Sequence, residues 1–460
     1  MTPQQQLEVP SSNELRFPLP AGTTRHAQHV PILNGALTLE PLATSPRRTI
    51  RIALAGCGVV GGGLVRLLHE SASAISSRFG VRFVITKVLV RDTTRDRNLP
   101  IDSRLFTNDL ETFLAHDADV VIEAVGGDEP ARTIALSALR RGRKLITANK
   151  ELIAAHGEIL DELASANHAS LDFGAAVGGS APVISTLRDL IGASAPRSIR
   201  GILNGTSNFV ISHLERGETL ESALAAARDR GLAELDCERD LDGRDAAAKL
   251  GIIAWIAFGI RPSSLLVRRT SLLAGIEQLV RCSETVGGRL RLIAECTRLE
   301  DNRVVATVEP TILPESNAFA RTTFEDNRVE VYLGWSSPLS VSGPGAGAEP
   351  TAAALLSDLV RTSPPPNDRG VGATKFEAVP DTRDHRWLIA AGIGREALIH
   401  AAANAHLSSA RARNHGDYAL LITHPAKWER VQRLLNQLDA ANASPCVARY
   451  DCIDIPEVAQ

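Results

Sequence analysis

No single sign of charge dominates this chain: 50 Lys and Arg stand against 53 Asp and Glu among 460 residues, a formal net charge of −3. Without a basic field, nucleic acid and anionic membrane surfaces are poor partners, and a small, roughly neutral one is expected. No apolar run is long enough to cross a bilayer, since the longest, LGIIAWIAFGI at 250–260, falls short of the ~20 residues a spanning helix needs. The six cysteines, at 57, 237, 282, 296, 446 and 452, form no C-x-x-C pair and no metal-type spacing, which suits free thiols in a reducing compartment. The opening residues, MTPQQQLEVPSS, set no basic segment before an apolar one, so a secretory leader is not expected and a cytoplasmic location is. What is present is a 44% hydrophobic content, enough for roughly two to four domains with cores of their own.

Residues 1–47 are rich in Pro, Gln, Thr and Ser without a sustained period and read as a flexible extension. At Thr49 the texture changes to TIRIALAGCGVVGGGLVRLL: a β-type run, a glycine cluster, then apolar residues at helical spacing. Further β-type runs at 81–90, 118–127 and 143–150 alternate with helical stretches such as EPARTIALSALRRG. This predicts an α/β, Rossmann-type doubly wound parallel sheet over 48–174. Longer helices and β-type segments at 302–313 and 327–334 predict a second, α+β domain over 175–341, expected to serve catalysis, substrate binding and dimerisation. SGPGAGAEPTAAALLSDLV predicts a glycine turn and helix at 342–362 that returns to the domain at 48–174. SPPPND marks a linker over 363–384, because consecutive prolines cannot continue a helix. Residues 385–460 carry the order βαββαβ, a split βαβ unit of ferredoxin-like type.

In GCGVVG, Gly56, Gly58 and Gly61 fill G-x-G-x-x-G between a predicted strand and a predicted helix, with Val59 and Val60 in the turn. The first glycine permits the tight turn, the second lets a pyrophosphate approach, and the third lets helix and strand pack closely. The helix N-terminus adds amide donors for phosphate, and Gly126 and Gly127 end another predicted strand. At the end of the second strand, where an NAD enzyme commonly has an acid, stands Arg91, followed by Asp92. A guanidinium can pair with a 2′-phosphate, so NADP(H) is favoured over NAD(H), with Asp92 still able to serve a ribose.

LDGRDAAAKL at 241–250 places Asp245 and Lys249 one helical turn apart, a spacing that by itself suits an ordinary surface ion pair. The wider set of motifs decides otherwise. GCGVVGGG, TANK at 147–150, AAVGGSAPVI at 175–184, GILNGTSN at 201–208, GLAELDCERDLDGRDAAAKL at 231–250 and GPGAG at 343–347 resemble, in order and spacing, the homoserine dehydrogenases over residues 50–360. The resemblance implies NAD(P)H-dependent, reversible reduction of L-aspartate 4-semialdehyde to L-homoserine, in threonine, methionine and isoleucine biosynthesis. Hydride arriving at an aldehyde carbon leaves charge on oxygen, so a cation and a proton donor are required. The resemblance assigns Lys249 as proton donor and Lys150 to the neighbourhood of the nicotinamide and reacting oxygen. It also assigns Asp245, Glu234 and Asp240 to the substrate, Thr206 to the pocket wall, and Gly231 and Gly345 to the cofactor.

The chain departs from the family at two places. An acid that contributes to a monovalent-cation site is replaced by Gly174, which leaves only the backbone carbonyls of Val177, Gly179 and Ala181 and makes sodium doubtful. A tyrosine beside the substrate is replaced by Leu232. The βαββαβ unit resembles an ACT domain, whose first turn, here AGIGREA at 391–397, would bind an amino acid, with threonine the natural effector and dimerisation alone the other reading. No kinase-like segment precedes residue 50, so fusion to an aspartate kinase is not expected. A homodimer or homotetramer is expected. Two other functions stay open: another Rossmann-fold amino-acid or aldehyde oxidoreductase, and a catalytically silent, nucleotide-bound sensor, which the intact Lys150, Asp245 and Lys249 count against.

Overall fold

The computed structural model describes residues 48–179, 181–191, 196–232, 238–334, 337–345, 347–361 and 377–451. The extension at 1–47, Glu234 and the proline run at 363–368 lie outside them.

The first layer begins with β1 (Arg48–Ala55), α1 (Val59–Phe79), β2 (Val81–Leu89), β3 (Phe106–Thr107) and α2 (Leu110–Ala115). It continues through β4 (Val120–Glu123), α3 (Ala131–Arg140), β5 (Lys144–Thr147), α4 (Lys150–Ala166) and β6 (Leu171–Asp172). The six strands form one sheet in the order β3-β2-β1-β4-β5-β6, and every pairing in it is parallel. The doubly wound expectation is met, including the reversal of strand order between β1 and β4 that opens a crevice at the strands' C-terminal ends. All four residues of β4 are buried, as a strand covered on both faces requires.

The middle of the chain supplies α5 (Val183–Ile191), β7 (Ser198–Ile202), α6 (Gly205–Leu214), α7 (Leu220–Asp229), α8 (Glu238–Leu241) and α9 (Arg244–Phe258). There follow β8 (Val267–Arg269), α10 (Ile276–Thr285), β9 (Gly288–Arg298), β10 (Arg303–Pro314), β11 (Asp326–Tyr332) and β12 (Leu339–Pro344). Even-numbered residues of β10, such as Val304, Ala306, Val308 and Ile312, share a core with Leu250, Ile253 and Ala254 of α9. On the other face stand Thr307, Glu309 and Thr311, as the two-residue period of a strand dictates. Helix α11 (Ala348–Val360) then returns to the first layer, where Ala352, Leu355 and Leu359 pack with Ile52, Leu54 and Leu64.

The last segment runs β13 (Glu377–Ala378), β14 (Trp387–Ala391), α12 (Arg395–Asn404), β15 (Ser409–His415), β16 (Tyr418–Thr423), α13 (Trp428–Ala440) and β17 (Cys446–Tyr450). From β14 onward this is the βαββαβ order, antiparallel in the spatial sequence β17-β14-β16-β15. The unit does not hang free. Strand β17 pairs with β10, so the middle and C-terminal strands form one 11-stranded sheet. The long β10 has room on one edge for β13, β8 and β17 in turn. Residues 377–384, within the expected linker, are bound to this sheet: Val379 N donates to Val304 O at 2.7 Å. Among the described residues no helix is long and apolar enough to cross a membrane.

Candidate active site

The glycine turn behaves as its chemistry demands. Gly56 has φ 90°, and a Cβ there would lie 2.4 Å from Ala124 O; one on Gly61 would lie 2.0 Å from Gly56 O. Gly58, by contrast, has nothing within 4 Å of such a position, which is the open approach a phosphate needs beside a helix N-terminus. Val59 and Val60 form the first turn of α1, and Val59 is exposed. A cavity of about 670 Å³ opens over this turn, lined by Gly56, Gly58, Arg91, Asp92, Arg95, Arg97 and Gly126 among others. These donors fit a dinucleotide.

Arg95 and Arg97 were not singled out in the sequence, although RDTTRDR at 91–97 repeats arginine along one loop. Arg97 is committed to scaffolding: it donates to Arg95 O at 2.8 Å and Asp92 O at 2.7 Å and lies over Phe106. The Asp92 carboxylate accepts from Thr94 N and Oγ1 at 2.8 and 2.7 Å, and those hydrogen bonds hold it below its ordinary pKa. Asp92 is thus occupied with its own turn, while Arg91 and Arg95 face the cavity.

Beside this crevice, α4 starts at Lys150. Asn149 caps it, accepting from Leu152 N at 3.0 Å, while its Nδ2 donates to Gly127 O at 2.7 Å. Thr147 Oγ1 in turn donates to the buried Glu123, whose other oxygen accepts from Val125 N and Gly126 N. TANK is therefore a clamp that fixes one lysine against the nucleotide loop. The partner comes from α9, which begins after Gly243 at φ 81° and carries Asp245 in its first turn, where the helix dipole favours an acid.

The three charges meet. Lys150 Nζ lies 2.9 Å from Asp245 Oδ1, and Lys249 Nζ lies 2.8 Å from Asp245 Oδ2. Lys249 also donates to Leu203 O at 2.8 Å. Asn204, a residue the sequence reading passed over, caps α6 through its Oδ1 and uses its Nδ2 to bridge Asp240 at 2.7 Å and Asp245 at 2.8 Å. Its visible signal was the Asn of ILNGT standing just before a helix. Burial opposes charge on Asp245, yet the two lysines outweigh it and hold its pKa below the ordinary carboxylate range. Burial likewise lowers Lys150, but Asp245 outweighs it and the pKa is raised. Asp240 is raised, by burial first and further by the charge on Asp245, against its bond from Asn204.

A second cavity of about 650 Å³ is lined by Lys150, Glu151, Leu232, Arg239, Asp240 and Asp245 among others. Lys249 lies behind the Asp245 carboxylate, with its side chain only 12% exposed. Thr206 is buried, and its hydroxyl donates to Leu232 O at 2.8 Å, supporting the wall rather than facing the cavity. Gly231, at φ 68°, follows α7, and Gly345 follows β12 with its amide on Glu325 O; neither lines the two cavities. A cation beside a nucleotide crevice, with carboxylates further along the wall, can stabilise a negatively charged oxygen on a substrate that carries an ammonium.

At Gly174 the missing side chain has been replaced from elsewhere: a Cβ there would sit 2.7 Å from Asp358 Oδ1 of α11. Burial, and then the charge on Asp172, push Asp358 up to about 6, against Arg188, Arg361 and Lys144. Val177, Gly179 and Ala181 are buried in the next loop. Among the described residues no group of three His, Cys, Asp or Glu could hold a metal ion. Asp358 thus brings a buried carboxyl, ionised above about pH 6, to the place that Gly174 leaves open, beside the loop of Val177, Gly179 and Ala181.

Comparison with known proteins accords with this geometry. A family model described as homoserine dehydrogenase matches residues 182–360, and one for the homoserine dehydrogenase NAD-binding domain matches 56–173. The homoserine dehydrogenase of Mycobacterium tuberculosis is 36% identical over 319 residues, covering 68% of this chain and 72% of that protein. The Lactococcus lactis enzyme is 34% identical over 331 residues, 70% and 76% of the two chains. The crystal structure of a homoserine dehydrogenase from Thiobacillus denitrificans superposes with a TM-score of 0.78 at 27% identity, covering 88% of this chain and 99% of that one.

Proposed function

The chain belongs to the homoserine dehydrogenase family and is an oxidoreductase with an NAD(P)-binding domain, and from that premise we propose that it interconverts L-aspartate 4-semialdehyde and L-homoserine at the Lys150–Asp245–Lys249 cluster. The observation that carries this is the convergence of both amines on one buried carboxylate beside the glycine-turn crevice. When bound, the nicotinamide supplies or accepts the hydride. Lys150, protonated and facing the cavity, stabilises the reacting oxygen. Asp245 keeps that ammonium charged and aimed. Lys150 gives its proton to the reacting oxygen as the hydride arrives, and Lys249, on the far oxygen of Asp245, helps to keep the carboxylate between them charged. Asp240 and Glu234 take the substrate ammonium, and Leu232, in place of a tyrosine, leaves that wall apolar.

NADP(H) is the preferred cofactor in this reading, because Arg91 and Arg95 face the cavity while Asp92 is spent on Thr94. Further proposals are a cytoplasmic enzyme of amino-acid biosynthesis, a homodimer or homotetramer, and an ACT-like C-terminal unit that takes threonine at 391–397. The test is NADPH oxidation with aspartate semialdehyde by the parent, Lys150→Ala and Lys249→Ala. Each substitution is expected to lower kcat about 10²-fold or more, the scale of losing an acid or an oxyanion partner. Parental turnover in either removes that lysine from the reaction, and a parent that binds NADPH without turnover is a sensor.

A further inference from the structure

The wall of the 650 Å³ cavity carries more acid than the reaction uses. Its carboxylates are Glu151, Asp240 and Asp245; its cations, among the described lining residues, are Lys150 and Arg239. Asp245 is neutralised by its two lysines, but an amino-acid substrate brings a carboxylate of its own, which Glu151 and Asp240 repel unless a cation receives it. Lys150 is held by Asp245 at 2.9 Å and is needed at the reacting oxygen. Arg239 remains. It stands on α8 directly beside Asp240, and its Nη1 meets Glu151 Oε1 at 2.9 Å, with side chains 57% and 41% exposed.

We propose that Arg239 is the receptor for the substrate's α-carboxylate, which it takes in exchange for Glu151. This rests on the reading of the substrate as a zwitterionic amino acid. The exchange is physically cheap, because an exposed ion pair contributes little and its acceptor can return to water. The planar guanidinium fork suits a carboxylate in two parallel hydrogen bonds, where the contact with Glu151 uses one nitrogen. The arrangement also orients the substrate. Neighbouring positions 239 and 240 offer opposite charges to the two groups on the substrate's α-carbon, which directs the remaining arm toward Lys150. Arg239 is thus a binding and specificity residue, with no part in proton transfer.

The experiment compares L-homoserine with 3-aminopropan-1-ol, the same alcohol without the carboxylate, as substrates or competitive inhibitors of the parent, Arg239→Ala, Arg239→Lys and Glu151→Gln. Arg239→Ala is expected to raise KM for homoserine about 10- to 100-fold, the range for a hydrogen bond to a charged group. Its kcat should stay within a few-fold, and its affinity for the aminoalcohol should match the parent's, so that discrimination between the two ligands collapses. Arg239→Lys should recover part of the loss. Glu151→Gln, which frees the guanidinium of its competitor, should lower KM for homoserine. An active parent whose discrimination is unchanged in Arg239→Ala, or a Glu151→Gln variant with a raised KM, overturns the assignment alone. A parent inactive on homoserine overturns the reaction and this assignment together.

Discussion

Asp245 is the residue on which the site's charge balance turns. The largest influence on Lys150 is burial, which lowers its pKa, and Asp245 is the largest opposing one. Asp245→Asn keeps the shape and deletes the charge, so burial then wins and the Lys150 pKa falls below that of an ordinary lysine. In the parent, Lys150 stays protonated through the ordinary lysine range. In the variant it loses its proton at lower pH, so the alkaline limb of kcat/KM for aldehyde reduction should move to lower pH. The rate at pH 7.5 should also fall about 10²-fold, since the surviving amine is no longer aimed. A pH profile of the variant whose alkaline limb coincides with the parent's would separate Asp245 from the chemistry. The four-residue spacing to Lys249 was legible because one helix carries both. The approach of Lys150 came only with the family resemblance, because it depends on how α4 and α9 pack against each other. The bridge made by Asn204 was not legible, because its side chain serves a helix cap and two acids at once.

Among the elements, the β1–α1 turn separates glycines that build the fold from one whose surroundings are open. A methyl on Gly61 would be driven into Gly56 O at 2.0 Å, backbone against backbone, so strand and helix must move apart. A methyl on Gly58 meets no atom within 4 Å. Gly61→Ala should therefore lower Tm by several degrees, the consequence of overpacking by ~1–3 kcal/mol. Gly58→Ala should melt with the parent yet bind NADPH at least about tenfold more weakly, because its methyl occupies the pyrophosphate approach. Differential scanning fluorimetry with and without NADPH tells the two apart, and equal loss of Tm in both would show that Gly58 is a packing residue. The same turn explains how far the sequence could be read. A tight turn, the alternation of strand and helix and an i,i+4 pair are local, and GCGVVG, the β-type runs and DAAAK announced them. The two-residue strands β3 and β6, and the shared edge of β10, have no local signal, because partners far away in the chain complete them.

The whole molecule is joined by charges where the sequence suggested a boundary. Glu295, on β9, is buried and meets Arg200 of β7 at 3.3 Å, Arg383 from the stretch after β13 at 3.2 Å, and Arg449 of β17 at 3.2 Å. Arg449 also reaches Glu309, and Arg268 reaches both Glu309 and Asp381, so the network crosses from the middle strands into the C-terminal unit. Leu388 and Ala390 of β14 carry the apolar core across the same border. Burial opposes ionisation of Glu295, but the three guanidiniums overcome it and bring its pKa down to about 2 from 4.5. A carboxylate depressed in this way contributes stability that is complete above the unfolded value near 4.5 and is lost as pH falls through about 2. The shift corresponds to about 3 kcal/mol, which is the loss expected at neutral pH when the three guanidiniums are left without their carboxylate. Glu295→Gln should thus be less stable than the parent at pH 7 by about 3–5 kcal/mol in urea unfolding. That gap should narrow between pH 4.5 and 2.5, where only the parent loses its carboxylate's contribution. A gap constant with pH would mean that Glu295 matters by shape and hydrogen bonding alone. If the C-terminal unit is instead an independent body, the variant's unfolding should split into two transitions, the first leaving the 48–361 core intact. A single shifted transition is the outcome expected of strands that share one sheet and one buried carboxylate.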